Sequence, residues 1–415
     1  MNDEEYMRRA LELALRGSGW VNPNPLVGAV IVREGRIIGE GWHPAFGELH
    51  AERQALADCA RRGESPKGAT VYVTLEPCCH TGKTPPCTEA LIEADVARVV
   101  VGAADPNPRV NGGGVAQLQQ AGIEVVQGVL AQECEEVNKP FFHFIKTGKP
   151  YVTLKYAMTL DGKIATRAGK SKWITGPEAR RHVHEGRQRN AAIMVGVNTV
   201  IKDDPLLTCR LGDFDDTSIA AGCSMKGDFE DLLERELEED EAAYADAELK
   251  GDEPSDKPSQ FTLKPSNPIR IVCDTHLRTP LGSQIVQTAY AVPTYIATSV
   301  TDLAKHMPYR EQECDIIVVP EAAGHIDIEV LMDKLGSMGI DSVIVEGGAE
   351  INWSVLAYEA VSKVQAYIAP KIFGGAQAPS PVAGFGVEAP KHAIQLSEPH
   401  ITQLGNDVLI ECEVR

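Results

Sequence analysis

Two short stretches hold side chains whose types and spacing could do chemistry. "LHAERQAL" (49–56) places His50 and Glu52 two residues apart, and "LEPCCHTGKTPPC" (75–87) crowds three cysteines and a histidine between prolines. Zinc bound for catalysis takes three protein ligands and leaves a fourth position for water. His50, Cys78 and Cys87 supply that number, and Glu52 supplies a base that is not a ligand. Zinc lowers the pKa of its water toward neutrality, and a carboxylate beside it takes the proton and hands it on. H-x-E, then P-C, then a second C is the pattern of zinc deaminases, which displace an amine from a ring carbon. Cys79 and His80 offer themselves as substitute ligands, and with them comes a closed four-ligand staple of purely structural use. That staple leaves the H-A-E segment unexplained. Cys78 and Cys87 are preferred because each follows a proline and Cys87 opens the helical pattern "TEALIEA", whose N-terminal dipole favours a thiolate.

The elements around these residues must bring them together. Residues two apart in a helix interior point to opposite sides, so His50 and Glu52 can share a site only at a first turn. "PAFGEL" before them is consistent with such an entry. "LVGAVIV" (26–32), "RIIGEGW" (36–42), "ATVYVTL" (69–75) and "VARVVVGA" (96–103) read as strands alternating with helical patterns, which implies a sheet with helices on its faces. A second α/β unit opens near "TGKPYVTLKYAMTLDGKIA" (147–165). Its short β-rich runs are 190–200, 268–274, 293–299, 315–320 and 341–348, with "IEVLMDKLGSMG" reading as a helix between two of them. The expected division is 1–145 and 146–415, with an acidic insertion at 211–266 whose "DLLERELEEDEAAYADAELK" favours helix and whose "GDEPSDKPSQ" reads as linker. Within the second unit "DSVIVE" runs into Gly347-Gly348 and a helix start, where free backbone N–H groups face an anion. No G-x-G-x-x-G follows a strand, so a Rossmann cofactor site is not supported.

Composition narrows the class. The 415 residues are too many for one small core, 43% are apolar, and no apolar run approaches the ~20 residues of a membrane span. The charged, amphipathic "MNDEEYMRRALELALRG" has neither a secretory apolar core nor the acid-poor character of a transit peptide, so the expected location is the cytoplasm. There a cysteine cluster suggests metal before disulfide. The net charge of −19 argues against a polyanionic partner, although residues 211–260, with 17 acidic and four basic side chains, carry −13 of it.

Four motifs of the first half, "PNPLVGAVIV", "GWHPAFGELHAE", "LEPCCHTGKTPPC" and "DPNPRVNGGG", together resemble the bifunctional deaminase/reductases of riboflavin biosynthesis. In the second half "LKYAMTLDGKIAT", "SKWITG", "VGVNTVIKDDPLLTCR" and "VEGGAEINWSVL" resemble that family's reductase domain. The resemblance implies a cytidine-deaminase-like three-layer domain followed by a dihydrofolate-reductase-like domain, with Zn2+ and NADPH as cofactors. It implies zinc on His50, Cys78 and Cys87, with Glu52 as proton shuttle, acting on 2,5-diamino-6-(5-phosphoribosylamino)pyrimidin-4-one. Ammonia leaves, and NADPH then reduces the ribosyl group to ribityl. Asn24, His43 and Lys83 would meet the pyrimidine substrate, while Cys79 departs from the family's common serine. In the reductase, Ser171, Arg187, Leu207, Arg210 and Glu346 match substrate positions, and guanidinium forks suit a 5′-phosphate. Ala157, Trp173, Thr199, Asp203, Thr275 and Gly348 match cofactor positions, and Lys155 is a hypothetical proton donor to the opened sugar. The family's reductase half also implies pairing of copies.

Three other readings compete. A nucleobase or nucleic-acid deaminase with an appended domain would call for a basic groove and stacking aromatics, whereas this chain is acidic with 6% aromatics. A zinc-stapled binding protein would be indifferent to Glu52→Gln. A chain with one half decayed would lack one of the motif sets, and both are intact.

Overall fold

The computed structural model describes residues 2–80, 85–108, 110–211 and 266–415. Contacts divide the chain into two compact units, one of residues 1–209 with 266–415 and one of residues 210–265. The sequence readings of helix and linker in the acidic insertion lie outside the described residues, as does Lys83.

The first unit contains two large sheets. The first sheet runs in the order β2-β1-β3-β4-β5. Its strands are β1 (Gly28–Arg33), β2 (Arg36–Trp42), β3 (Thr70–Leu75), β4 (Arg98–Ala103) and β5 (Glu124–Gln127). β1 lies antiparallel to β2 and β3, and β3, β4 and β5 are parallel. The three central strands read as continuous apolar runs because both faces are covered. Ala29, Ile31, Val71, Val73, Val99 and Val101 pack on one side with α2 (Ala51–Arg61), α3 (Cys87–Glu93) and α4 (Gly113–Gln120). Their alternates Val30, Val32, Tyr72 and Val100 pack on the other with α1 (Asp3–Ala14), α5 (Ala131–Val137) and α6 (Lys139–Thr147). The result is the expected three-layer arrangement, with α6 running across the position of the expected 145/146 division.

One close approach decides where the chemistry sits. A Cβ on Gly41 of β2 would collide with Ala51 O and Ala55 N of α2. The bare glycine therefore lets the first turn of α2 lie flush on the sheet.

The second sheet has nine strands in the order β10-β9-β8-β7-β13-β6-β14-β16-β15. These are β6 (Tyr151–Thr159), β7 (Ala192–Gly196), β8 (Ile269–Cys273), β9 (Thr294–Thr298), β10 (Cys314–Val318), β13 (Ser342–Val345), β14 (Lys363–Ala369), β15 (His400–Leu404) and β16 (Asp407–Glu413). A small hairpin, β11 (Glu321–Ala322) and β12 (His325–Ile326), lies apart. β10 to β14 are parallel, and β14, β16 and β15 finish the sheet antiparallel. Apolar residues from both faces meet flanking helices, with Met194, Ile271 and Val343 on one side and Ile193, Val272 and Ile344 on the other.

The β-rich run 190–200 divides at Gly196: the strand ends there and α8 (Val197–Asp203) begins. Val197 and Val200, three apart, pack with Leu207 and Ile285 against the sheet, a spacing that suits a helix and not a strand. Among the features that motif reading missed are α7 (Pro177–Arg189), strand β14, and the β15–β16 hairpin closed by Gly405-Asn406 between Leu404 and Asp407.

Candidate active sites

The first site forms where α2 and α3 begin side by side. His50 is the extended N-cap of α2, and Glu52 lies in the first turn, the geometry that lets residues two apart share one pocket. Cys87 is the first residue of α3. The loop between Cys78 and Cys87 leaves and returns to one place: Thr88 N and Oγ1 both donate to Cys78 O, at 3.2 and 3.3 Å. Arg53, next to Glu52, donates to Pro85 O and Pro86 O at 3.2 and 2.9 Å and so ties α2 to the far end of that loop.

His50 Nδ1, Cys78 Sγ and Cys87 Sγ all lie within 4.8 Å of one another. The imidazole nitrogen is 3.6 Å from Cys78 Sγ and 3.4 Å from Cys87 Sγ, and Cys87 N donates to Cys78 Sγ at 3.4 Å. One nitrogen and two sulfurs at this spacing fit zinc. Cys79 and His80 are not in the group; a Cβ on Gly113 would meet Cys79 Sγ at 2.9 Å, so that thiol lies against the start of α4. The open three-ligand arrangement is what the geometry offers among the described residues.

The electrostatics agree with a pair of interacting thiols. A bond from the Cys87 thiol and the nearby His50 hold Cys78 well below the ordinary thiol range, while that same bond and burial push Cys87 up. Glu52 is 3% exposed, and burial, then the charge of Cys78, raise its carboxyl. His43 is brought alongside, its ring 5.2 Å from that of His50. Asn24 Nδ2 donates to His43 Nε2 at 3.0 Å, and His43 Nδ1 donates to Leu49 O at 3.2 Å, which assigns the tautomer. Burial lowers the His43 pKa.

The second site lies at the carboxyl ends of the parallel strands of the large sheet, where ligands of open α/β sheets bind. Glu346 directly follows β13 and forms a two-pronged ion pair with Arg187 of α7, Nε to Oε1 at 2.6 Å and Nη2 to Oε2 at 3.0 Å. Lys155 of β6 reaches Glu346 Oε2 at 3.3 Å. Their side chains are 4%, 13% and 14% exposed in that order. Burial alone would raise the Glu346 carboxyl, but the charges of Arg187 and Lys155 hold it down to about 2. The Arg187 fork is thus turned toward a carboxylate, with Nη1 donating to Thr208 O at 2.9 Å beside Leu207. Tyr367, which motif reading did not single out, has its ring centre 5.7 Å from Lys155 Nζ and its hydroxyl 2.7 Å from His182 Nδ1. Its signal was the alternating "KVQAYIA" of β14.

Gly347 and Gly348 sit at φ +127° and +85°, and a Cβ on Gly348 would meet Thr199 Oγ1 at 3.3 Å. Only glycine keeps this backbone open at the start of the helix Ala349–Ala357, so the cradle fits a cofactor's anionic part. Ser171 and Asp203 approach at 3.5 Å. Thr275 follows β8, its carbonyl accepting from Thr298 and Ser299. Trp173 is half exposed under the Arg180 guanidinium, and Ala157 lies opposite Tyr367 on the neighbouring strand. Arg210 opens the second compact unit.

Known proteins are similar along the whole chain. Residues 1–103 match the cytidine and deoxycytidylate deaminase zinc-binding region, and residues 150–410 match the RibD C-terminal domain. The riboflavin biosynthesis protein RibD of Actinobacillus pleuropneumoniae is 44% identical over 411 residues, 99% of this chain and 95% of that one. RibD of Escherichia coli strain K12 is 40% identical over 414 residues, 99% of both chains. Among solved structures, a deaminase/reductase of Thermotoga maritima described as acting on diaminohydroxyphosphoribosylaminopyrimidine and 5-amino-6-(5-phosphoribosylamino)uracil superposes with a TM-score of 0.77. It is 34% identical, with coverage of 100% of this chain and 99% of that one. Acinetobacter baumannii RibD gives 0.78 at 30% identity with the same coverage.

Fold and sites together define a zinc deaminase and an NADPH-dependent reductase joined in one chain. The chain belongs to the RibD family of bifunctional riboflavin biosynthesis enzymes. The nucleic-acid deaminase reading is not favoured. Among the described residues no helix is long and apolar enough to cross a membrane.

Proposed function

We propose that His50, Cys78 and Cys87 hold the zinc and that Glu52 moves the proton in a deamination of 2,5-diamino-6-(5-phosphoribosylamino)pyrimidin-4-one. The observation that carries this reading is the convergence of three ligand atoms within 4.8 Å beside a buried carboxylate. Zinc supplies a water acidic enough to act as nucleophile near neutral pH. Glu52, its carboxyl raised by burial, accepts that proton and returns it to the departing amine. Asn24 and His43 orient the pyrimidine, the hydrogen bond from Asn24 fixing the His43 ring.

The deaminated product is then reduced at the second site, where NADPH supplies hydride to the ribosyl C1′. Glu346, Lys155 and Arg187 form its polar floor, and Lys155 offers a proton to the opened sugar oxygen. Ser171 and Leu207 complete the substrate contacts. Gly348, with Thr199, Asp203, Thr275, Ala157 and Trp173, receives the cofactor. The two activities belong to 1–145 and 146–415, with 211–266 as an insertion. The enzyme takes small molecules and no nucleic acid, works in the cytoplasm, and pairs through its reductase half. β15 offers an exposed edge there with Ile401 62% exposed, and light scattering would read the pairing.

The experiment supplies the diaminopyrimidinone ribosyl phosphate and NADPH to zinc-loaded protein and follows ammonia and NADPH in parallel. Ammonia first and NADPH loss second is the expected order. Neither signal would overturn the substrate, and ammonia alone would overturn the reductase assignment.

A further inference from the structure

Asp341 is a buried carboxylate that the reaction does not use. It immediately precedes β13 and is 2% exposed, and no lysine or arginine lies against it among the described residues. An unpaired buried carboxylate is costly unless hydrogen bonds satisfy it. One donor comes from the other half of the chain, Asn22 Nδ2 reaching both Asp341 Oδ1 and Oδ2 at 2.9 Å, and the neighbouring Ser342 Oγ donates to Oδ1 at 2.7 Å.

Asn22 stands in a tight turn whose Asn24 N donates to Val21 O at 2.7 Å. Two residues beyond Asn22, Asn24 holds His43, which lies edge-on to His50. The exit of the turn is fastened by Asn138, which accepts from Leu26 N at 2.8 Å and donates to Leu26 O at 2.9 Å. Its entry is fastened by Asp341. The contact path therefore runs Asp341, Asn22, Asn24, His43, His50, from the large sheet into the deaminase pocket.

We propose that Asp341 is a positioning residue for the deaminase, acting through Asn22 to fix the 22–25 turn, so that the reductase half completes the site it does not itself contain. The inference rests on reading the His50, Cys78 and Cys87 site as the deaminase. A carboxylate facing a side-chain amide is also a polar match that can be reversed. Asn22→Asp sets two carboxylates against each other, whereas the double variant Asn22→Asp with Asp341→Asn exchanges donor and acceptor and remakes the bond.

The test measures ammonia release, zinc content, and NADPH oxidation with pre-deaminated substrate in full-length protein. Asn22→Asp should lower kcat/KM for ammonia release roughly ten- to a hundredfold, the scale of a displaced positioning group. Zinc content should stay full and NADPH oxidation should stay within about twofold. The double variant should recover ammonia release. Should Asn22→Asp not fold, Asn22→Ala carries the same comparison, with a several-fold selective loss expected. Unchanged ammonia release, loss of zinc or of reduction in parallel, or no recovery in the double variant would overturn the proposal. Zinc-loaded wild-type protein that releases no ammonia would overturn the deaminase reading itself, a result visible before any variant is compared.

Discussion

At the scale of single residues, Glu52 and Glu346 are both buried carboxylates, and their surroundings push them in opposite directions. Burial and Cys78 raise Glu52, whereas Arg187 and Lys155 outweigh burial and lower Glu346. Glu52→Gln keeps the shape and removes the proton carrier. Ammonia release should fall by roughly a hundredfold or more, with zinc content and reduction of pre-deaminated substrate unchanged; retained ammonia release would remove Glu52 from the mechanism. Glu346 has a folded pKa of about 2 against an ordinary 4.5, so it stabilises the fold at neutral pH and loses that contribution as pH falls through this window. Glu346→Gln leaves Arg187 and Lys155 buried without their anion and should cost about 3–5 kcal/mol at neutral pH. Denaturant melts should show the gap to wild type narrowing in acid, and a gap independent of pH would exclude the ion pair as its cause. The grouping of His50, Cys78 and Cys87 was legible from sequence because histidine and cysteine are the residue types that bind zinc. The Arg187–Glu346 pair was not: its members matched substrate positions, and nothing in the spacing of residues 159 apart said they would face each other.

At the scale of elements, legibility followed burial. β1, β3 and β4 are apolar runs covered on both faces; β3 and β4 lie within their sequence readings, and β1 runs one residue past its own, to Arg33. The β15–β16 hairpin was missed because β15 is an edge strand with mostly exposed residues, so no apolar alternation marks it. Helix α7 was missed because "PEARRHVHEGRQR" has little apolar stripe, although Pro177 at its first turn was a start signal. What the motifs could not show was how closely α2 approaches β2, which depends on Gly41. Gly41→Ala would drive a methyl into Ala51 O and Ala55 N and lift the turn that carries His50 and Glu52. The expected result is a loss of about 1–3 kcal/mol, with weakened zinc retention and ammonia release. Thermal melts with zinc analysis would measure it; full zinc occupancy at wild-type stability would show that α2 has room to move.

At the scale of the whole molecule, two three-layer halves carry two chemistries, each with its own core and its own end of a sheet. Resemblance along the chain pointed to the two activities early, but the contacts that join the halves were invisible, since Asn22 and Asp341 are ordinary loop residues 319 apart. The joint has a direction. Asp341 faces the turn beside His43, whereas among the described residues the ion pairs of Glu346 come from Lys155 and Arg187 of the second half. Removing zinc should therefore act on one side only. The His50, Cys78 and Cys87 group would lose its bound ion, while the buried ion pair at the second site contains no metal ligand and keeps its partners. Protein dialysed against a chelator should release no ammonia and yet oxidise NADPH at an unchanged rate when given pre-deaminated substrate, with zinc addition restoring ammonia release. Parallel loss of both rates would mean that the metal supports the fold of the whole chain, and the open three-ligand group would then have to be read as structural.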